Sequence, residues 1–161
     1  VGVLVQSNFG RRSQLRIDGV PVGREIVDLM PERGGKSKSM LAVLATDAPL
    51  VPVQLEGMCK RVALGMARTG AISTRGSGDL VVAFANTQRQ SRSASALEYS
   101  AEMLAEDWIS AMYQGVVEAT EEAILNSLTM ASTMVGRDGN TIHALPLDRL
   151  VEVMRAHGKL K

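Results

Sequence analysis

The sequence has few aromatic residues and almost no net charge, and both shortages narrow the range of functions. Aromatic side chains make up 3% of the 161 residues, which leaves little for stacking nucleic-acid bases or sugars. The charges of the 18 basic and 17 acidic side chains nearly cancel. The net charge therefore gives no reason to expect binding to a polyanion such as a nucleic acid or an acidic membrane surface. We therefore expect neither a nucleic acid nor a membrane as a partner.

Cysteine and histidine are also scarce. Cys59 is the single cysteine, so no disulfide can form within the chain. His143 and His157 are not spaced as metal ligands with any partner, and no apolar run reaches the roughly 18 residues that a membrane span needs. We expect a cytoplasmic protein that holds no metal and no cofactor.

The length and the apolar fraction of the sequence are those of an ordinary globular domain. Apolar residues make up 45% of the chain, enough for one compact domain. The chain opens without methionine, inside the apolar run Val1–Val5, which resembles an interrupted strand. We expect an N-terminal portion of the parent protein to be missing.

The first 38 residues predict a hairpin-like unit followed by a loop. Alternating valines at the start predict a strand that runs into a turn at residues 7–10. A short strand over Gln14–Asp18 should follow, with Asp18 and Gly19 forming a turn and residues 20–22 extended. The stretch Leu29–Lys38 has no apolar periodicity and predicts a loop.

The remainder predicts buried strands alternating with helices, hence an α+β layered domain. Residues 39–45 are continuously apolar, which favours a strand buried on both faces, and a second strand should span residues 79–86. A loop should follow at residues 87–100. Helices are predicted from Pro52 to near Gly70, over residues 101–131, and from Pro146 onwards. The middle helix should bury one face, comprising Leu104, Trp108, Met112, Val116, Ala119, Ala123 and Leu128.

Ser39 is the first candidate for chemistry, because it stands where the loop meets the buried strand. A cut before Ser39 would free its α-amine, whose ordinary pKa of about 7.7 to 8.0 suits a base near neutral pH. One residue would then supply both the nucleophile and its base. The alternative is that Ser39 merely begins a strand.

Ser77, Asp79 and Asn8 are further candidates. Ser77 and Asp79 flank one residue of a turn, where the hydroxyl could relay a proton and the carboxylate could favour a nearby ammonium group. Asn8 follows a strand, and its amide could donate to an oxyanion. Each also has a purely structural interpretation, as a turn or capping residue.

Four arginines near the start could bind a carboxylate, although such residues more often form salt bridges or solvated surfaces. They are Arg11, Arg12, Arg16 and Arg24.

Five segments together resemble one family, the L-aminopeptidase D-alanyl-esterase/amidases, which includes the β-peptidyl aminopeptidases and forms peptidase family S58. They are VLVQSNFGRR at 3–12, SMLAVLATDAPL at 39–50, ALGMARTG at 63–70, RGSGDLVVAFAN at 75–86 and EEAILNSLTMAST at 121–133. They cover nearly the whole chain in the family's order. Members of this family cut themselves before a serine or threonine and pack the two products, an α chain and a β chain, as a four-layer αββα sandwich.

The resemblance implies a role for each candidate. Ser39 matches the nucleophile, Ser77 and Asp79 match the serine and acidic residue beside the new amine, and Asn8 matches the asparagine of the oxyanion hole. The cut would fall between Lys38 and Ser39, so residues 1–38 would end the α chain and residues 39–161 would be the β chain.

The resemblance also implies the partners and the reaction. The partners would be the remainder of the α chain and further copies, as a tetramer of αβ units. The substrate would be a small peptide or aminoacyl amide, hydrolysed through an acyl-enzyme.

Two alternatives stay open at this point. One is acyl transfer, because the ornithine acetyltransferase fold, which is related to this family, uses the same N-terminal nucleophile strategy with threonine; the serine here and the RGSGDL string favour hydrolysis. The other alternative is a homologue that is never cut, because Lys38 stands where family precursors often have glycine or asparagine.

Overall fold

A three-stranded sheet forms the centre of the chain. The computed structural model describes residues 1–31, 39–89 and 97–161. Strand β1 (Gly2–Asn8) pairs antiparallel with β2 (Ser39–Thr46), and β2 pairs parallel with β3 (Leu80–Ala85). These are the strands that the apolar runs predicted, and β2 lies between the other two.

The described residues form four α-helices, of which only the short first helix was not predicted. They are α1 (Val22–Glu25), α2 (Pro52–Arg68), α3 (Glu106–Thr129) and α4 (Leu147–Ala156). The three long helices are confirmed, with α3 shorter at both ends than expected. Between α3 and α4 lies a small hairpin that the sequence did not predict, formed by β4 (Met134–Val135) and β5 (Thr141–Ile142).

The core lies between the sheet and the two longest helices. Met40, Ala42 and Leu44 project from one face of β2, and all three are buried. They pack with side chains of α2 and α3, which cover this inner face: Met58, Val62, Met66, Ile109, Val116 and Ile124. Burial of alternate residues is the pattern of a sheet with one covered face.

The outer face of the sheet is apolar but exposed. Leu41 is 45% exposed and Val43 is 39% exposed, so the expectation that β2 is buried on both faces is wrong for the described chain. The same face carries four more exposed apolar side chains: Leu4, Leu80, Val82 and Phe84. The strand composition is that of a sheet covered on both sides, but the described residues supply only one covering layer.

Two expectations are wrong in the segment after β1: the short strand is absent, and Val22, expected to be extended, begins helix α1. Gln14–Asp18 is not a strand, since residues 12–14 form a 3-10 turn and only an isolated bridge joins Ile17 to Val20. The turn itself was correctly predicted: Asp18 and Gly19 both have positive φ, at 46° and 77°. Two backbone hydrogen bonds close it, too few to extend into a ladder.

The buried face of α3 was misplaced at its first turn. Trp108 is 67% exposed, whereas its neighbour Ile109 is buried. From Ile109 the buried stripe continues through Val116, Thr120 and Ile124. One residue of displacement rotates a helical position by about 100°, enough to move Trp108 out of the core.

Parts of both predicted loops, residues 32–38 and 90–96, lie outside the described residues, and Lys38 is among them. Across the described ranges, no helix is both long enough and apolar enough to cross a membrane.

Candidate active site

Ser39 and Asn8 are direct partners in the ladder of β1 and β2. Directly opposed residues of an antiparallel pair project to the same face of the sheet. Ser39 is the first residue of β2 and Asn8 is the last of β1, so both lie at one end of the apolar outer face. The sheet register alone thus brings together two of the predicted site residues.

The loop before β3 brings Ser77 and Asp79 to the same end. The Ser77 amide donates to the Thr74 carbonyl over 2.8 Å, which closes a tight turn, and Gly76 within it has φ +87°. The parallel pairing of β3 with β2 then places Asp79 beside the start of β2.

The Asp79 carboxylate accepts three hydrogen bonds from residues that the structure describes. Oδ1 accepts from the Met40 amide over 2.9 Å, immediately after Ser39 in the chain. Oδ2 accepts from the Ser77 hydroxyl over 2.8 Å and from the Ser73 hydroxyl over 3.1 Å. Bonds from both sides fix the orientation of the carboxylate against the backbone that carries the candidate nucleophile.

The Gly78 amide donates to Ser39 Oγ over 3.0 Å. An N–H aimed at this oxygen stabilises the negative charge that develops as the hydroxyl loses its proton. A Cβ at Gly78 would lie 3.3 Å from Ser39 Oγ, a tight contact that would press on the hydroxyl. The arrangement can therefore orient a serine hydroxyl and ease its deprotonation.

Two contributors to this site were missed from the sequence, Ser73 and the Gly78 amide. Ser73 lies six residues before Asp79, and its φ of +42° turns the chain so that its hydroxyl reaches the carboxylate. A positive φ is a strained conformation for a non-glycine residue, and such conformations cluster at functional sites. The residue type alone does not predict this strain. The Gly78 contact comes from the backbone and leaves no signal in residue type.

The arginines near the start mostly bind backbone carbonyls. Arg12 donates to the carbonyls of Asp28 and Leu29, Arg16 to that of Gly19 and Arg24 to that of Ser13. Arg11 lines a cavity of about 380 Å³ that borders Asn8.

Cys59 is a poor alternative nucleophile. It is half-buried on α2, and burial raises the pKa of its thiol above the ordinary value. A raised pKa reduces the thiolate fraction, which is the reactive form. Within the described ranges, no group of three or more His, Cys, Asp or Glu side chains could hold a metal ion.

Comparison with known proteins supports the resemblance drawn from the sequence. The model of peptidase family S58 matches residues 1–142. The β-peptidyl aminopeptidase BapA of Sphingosinicella microcystinivorans is 38% identical over 99% of this chain and 44% of its own length.

Two solved structures share the fold. The PH0078 protein of Pyrococcus horikoshii OT3 has a TM-score of 0.88 and 42% identity, over 98% of this chain and 43% of that one. The L-aminopeptidase D-Ala-esterase/amidase of Ochrobactrum anthropi, a prototype of the serine aminopeptidases with a variant Ntn hydrolase fold, has a TM-score of 0.88 and 36% identity. That match covers 99% of this chain and 44% of the other. The chain thus spans less than half the length of the relatives that it matches.

Proposed function

Because the chain belongs to peptidase family S58, we propose that it is the nucleophile-bearing part of a self-cleaving serine aminopeptidase or amidase. The observation that carries the proposal is the contact between Ser39 Oγ and the Gly78 amide, beside a carboxylate held by Met40 and Ser77. A serine that merely began a strand would need no such surroundings.

Self-cleavage is the first proposed step. Ser39 Oγ attacks the carbonyl carbon of Lys38, the C–N bond breaks, and the acyl group passes to oxygen as an ester. Water then hydrolyses the ester, leaving a carboxylate on Lys38 and a free amine on Ser39. Residues 1–38 become the end of one chain and residues 39–161 the other.

Turnover uses the amine that the cut releases. The amine takes the Oγ proton as Oγ attacks the acyl carbon of an aminoacyl amide, small peptide or ester. The Asn8 amide donates to the oxyanion, and the protonated amine returns its proton to the leaving group. Water then releases the acyl group from Ser39 by the same route.

Ser77 and Asp79 support the amine of Ser39 in this scheme. The Asp79 carboxylate, held against the Met40 backbone, favours the ammonium form that exists between the two proton transfers. Ser77 donates to the same carboxylate and relays or orients the proton.

The outer face of the sheet supports a four-layer αββα arrangement. We propose that a second sheet, from the remainder of the α chain, covers Leu41, Val82 and their exposed neighbours. Exposed apolar side chains that adjoin one another on a sheet commonly mark a surface that another part of the protein covers. The substrate pocket would then lie at the end of the two sheets, and whole αβ units would assemble as a tetramer.

The test is the Ser39→Ala variant of the full-length protein beside the wild type. Intact mass should show two chains, separated between Lys38 and Ser39, for the wild type and one chain for the variant. Only the wild type should hydrolyse aminoacyl p-nitroanilides. Cutting or turnover that persisted in the variant would remove Ser39 from the mechanism.

The same measurements separate the alternatives. An uncut wild type without amidase activity would be the non-catalytic homologue that Lys38 suggests. A cut protein that transfers acyl groups to an amino-acid amine faster than to water would be an acyltransferase.

A further inference from the structure

Helix α4 and the 15–28 segment form a second apolar cluster, distinct from the core beneath the sheet. Its buried members are Val20, Val22, Ile26 and Met154. Met154 belongs to α4, whereas the other three precede the proposed cut before Ser39. Because its members come from both sides of the proposed cut, the cluster joins the two pieces that self-cleavage would produce.

Charged residues around this cluster divide in the same way. Arg149 Nη1 lies 2.6 Å from Asp28 Oδ1 and 2.7 Å from Oδ2. Lys159 Nζ lies 2.9 Å from Asp18 Oδ2.

His157 Nε2 lies 3.6 Å from Glu25 Oε1, a contact that becomes an ion pair when the imidazole is protonated. In all three contacts the acid precedes the cut and the base follows it. Exposed pairs contribute little stability, but complementary charges set register and partner choice.

The chain leading towards the cut is held on two sides. Arg12 donates to the carbonyls of Asp28, over 2.6 Å, and of Leu29, over 3.3 Å. Arg149 holds the Asp28 side chain. Leu29 has φ +58°, a strained conformation for a leucine, and these contacts keep it in place.

Helix α4 packs mainly on the segment that precedes the proposed cut. It contacts α1, and its Met154 is buried together with Val20, Val22 and Ile26. The family model ends at residue 142, before α4 begins at Leu147. The described contacts of α4 therefore place it against the 15–28 segment.

We infer that α4 is a latch between the two chains, which docks the 15–28 segment of the first chain after the cut. This inference rests on the proposed self-cleavage. It matters for activity because Asn8 would belong to the first chain, whereas Ser39, Ser77 and Asp79 would belong to the second. The ladder with β2 holds residues 2–8 of the first chain, and the latch holds residues 15–28.

The test is hydrogen exchange, measured by mass spectrometry on the cut full-length protein. Arg149→Glu should speed exchange in peptides from 15–28 by about threefold to tenfold, because the contact becomes repulsive. Met154→Ala should speed it further, since it opens the buried cluster. The swap of Asp28→Arg with Arg149→Glu should restore slow exchange in part, because the pair attracts again while Arg12 repels the new cation at position 28. Arg155→Glu, at an exposed arginine of the same helix, should leave exchange as in the wild type.

The two hypotheses fail in different ways. A wild type that is never cut would overturn the proposed function and, with it, an interchain latch. If the wild type is cut but exchange at 15–28 is equally slow in the wild type, Arg149→Glu and Met154→Ala, the latch alone would be overturned.

Discussion

Ser73 Oγ donates a hydrogen bond to Asp79 Oδ2 over 3.1 Å, from a backbone conformation with φ +42°. Ser77 donates to the same oxygen from the other side. The carboxylate is therefore oriented by two hydroxyls, of which the sequence predicted only one. Because the strain and the contact occur at one residue, substitutions at Ser73 can separate stability from activity.

Ser73→Gly should lower kcat by about tenfold while leaving the melting temperature unchanged or slightly raised. Glycine accepts a positive φ without strain, but it removes the hydroxyl from a charged acceptor. Ser73→Thr should do the reverse, keeping most activity and losing stability, because a β-branched residue is strained at this φ. Steady-state kinetics and thermal unfolding on both variants check this, and full activity in Ser73→Gly would show that Ser73 has no role in positioning Asp79.

Asn8→Ala should lower kcat by about 100-fold or more, the usual loss for one oxyanion donor, with a smaller change in KM. The matched control is Gln6→Ala, because Gln6 projects from the same strand and the same face, two residues further from Ser39. The control should keep its activity. Equal losses in the two variants would point to damage of the strand instead of loss of a donor.

The sequence predicted the long elements well because their periodicity is strong. Strands β1 to β3 and helix α2 follow from apolar runs and from proline at a helix start. The short strands β4 and β5 were not predicted, because two residues are too few to produce an alternating apolar pattern in the sequence. Trp108 was wrongly placed in the core because the apolar spacing at the start of a helix does not show which residues of the first turn face the sheet.

The candidate residues were named from their positions and from the matched strings, and their roles stay predictions, whereas the contacts around them were not predicted. Ser39, Ser77, Asp79 and Asn8 could be named from the family resemblance, and the sheet register and turn bring them to one end of the sheet. Ser73 and the Gly78 amide depend on contacts between a turn and a distant strand. Such contacts arise from tertiary structure, so residue type alone does not predict them.

The exposed outer face should be covered in the full-length protein if a second sheet packs on it. In a background with Cys59→Ala and any cysteine of the remaining chain also replaced, Val82→Cys should react with a thiol reagent at least about tenfold more slowly than Glu122→Cys. Glu122 is the control because it is exposed on α3, away from the sheet. Rapid labelling at both positions would leave the face open to solvent and contradict the four-layer arrangement.

Arg149→Ala should raise the pKa of Asp28 towards its ordinary value of 3.8, because the hydrogen bond from Arg149 is the main cause of its lowered pKa. Arg12 nearby also lowers it, so part of the shift should remain. A carboxyl whose pKa is lowered by folding adds stability above its unfolded pKa and loses it as the pH falls through the folded one. The stability difference between wild type and Arg149→Ala should therefore be present at about pH 6 and shrink as the pH falls below about 4.

Carboxyl ¹³C titration of Asp28 and denaturant unfolding across this range measure both effects, with Arg155→Ala as the control on the same helix. A titration midpoint that is the same in wild type and Arg149→Ala would mean that the Arg149 contact does not hold Asp28 in solution. The latch would then depend on its apolar cluster and on the contacts of His157 and Lys159. Charge reversal at Arg149 should in that case leave exchange at 15–28 unchanged, while Met154→Ala still speeds it. The titration therefore identifies which half of the interface keeps the segment before the cut in place.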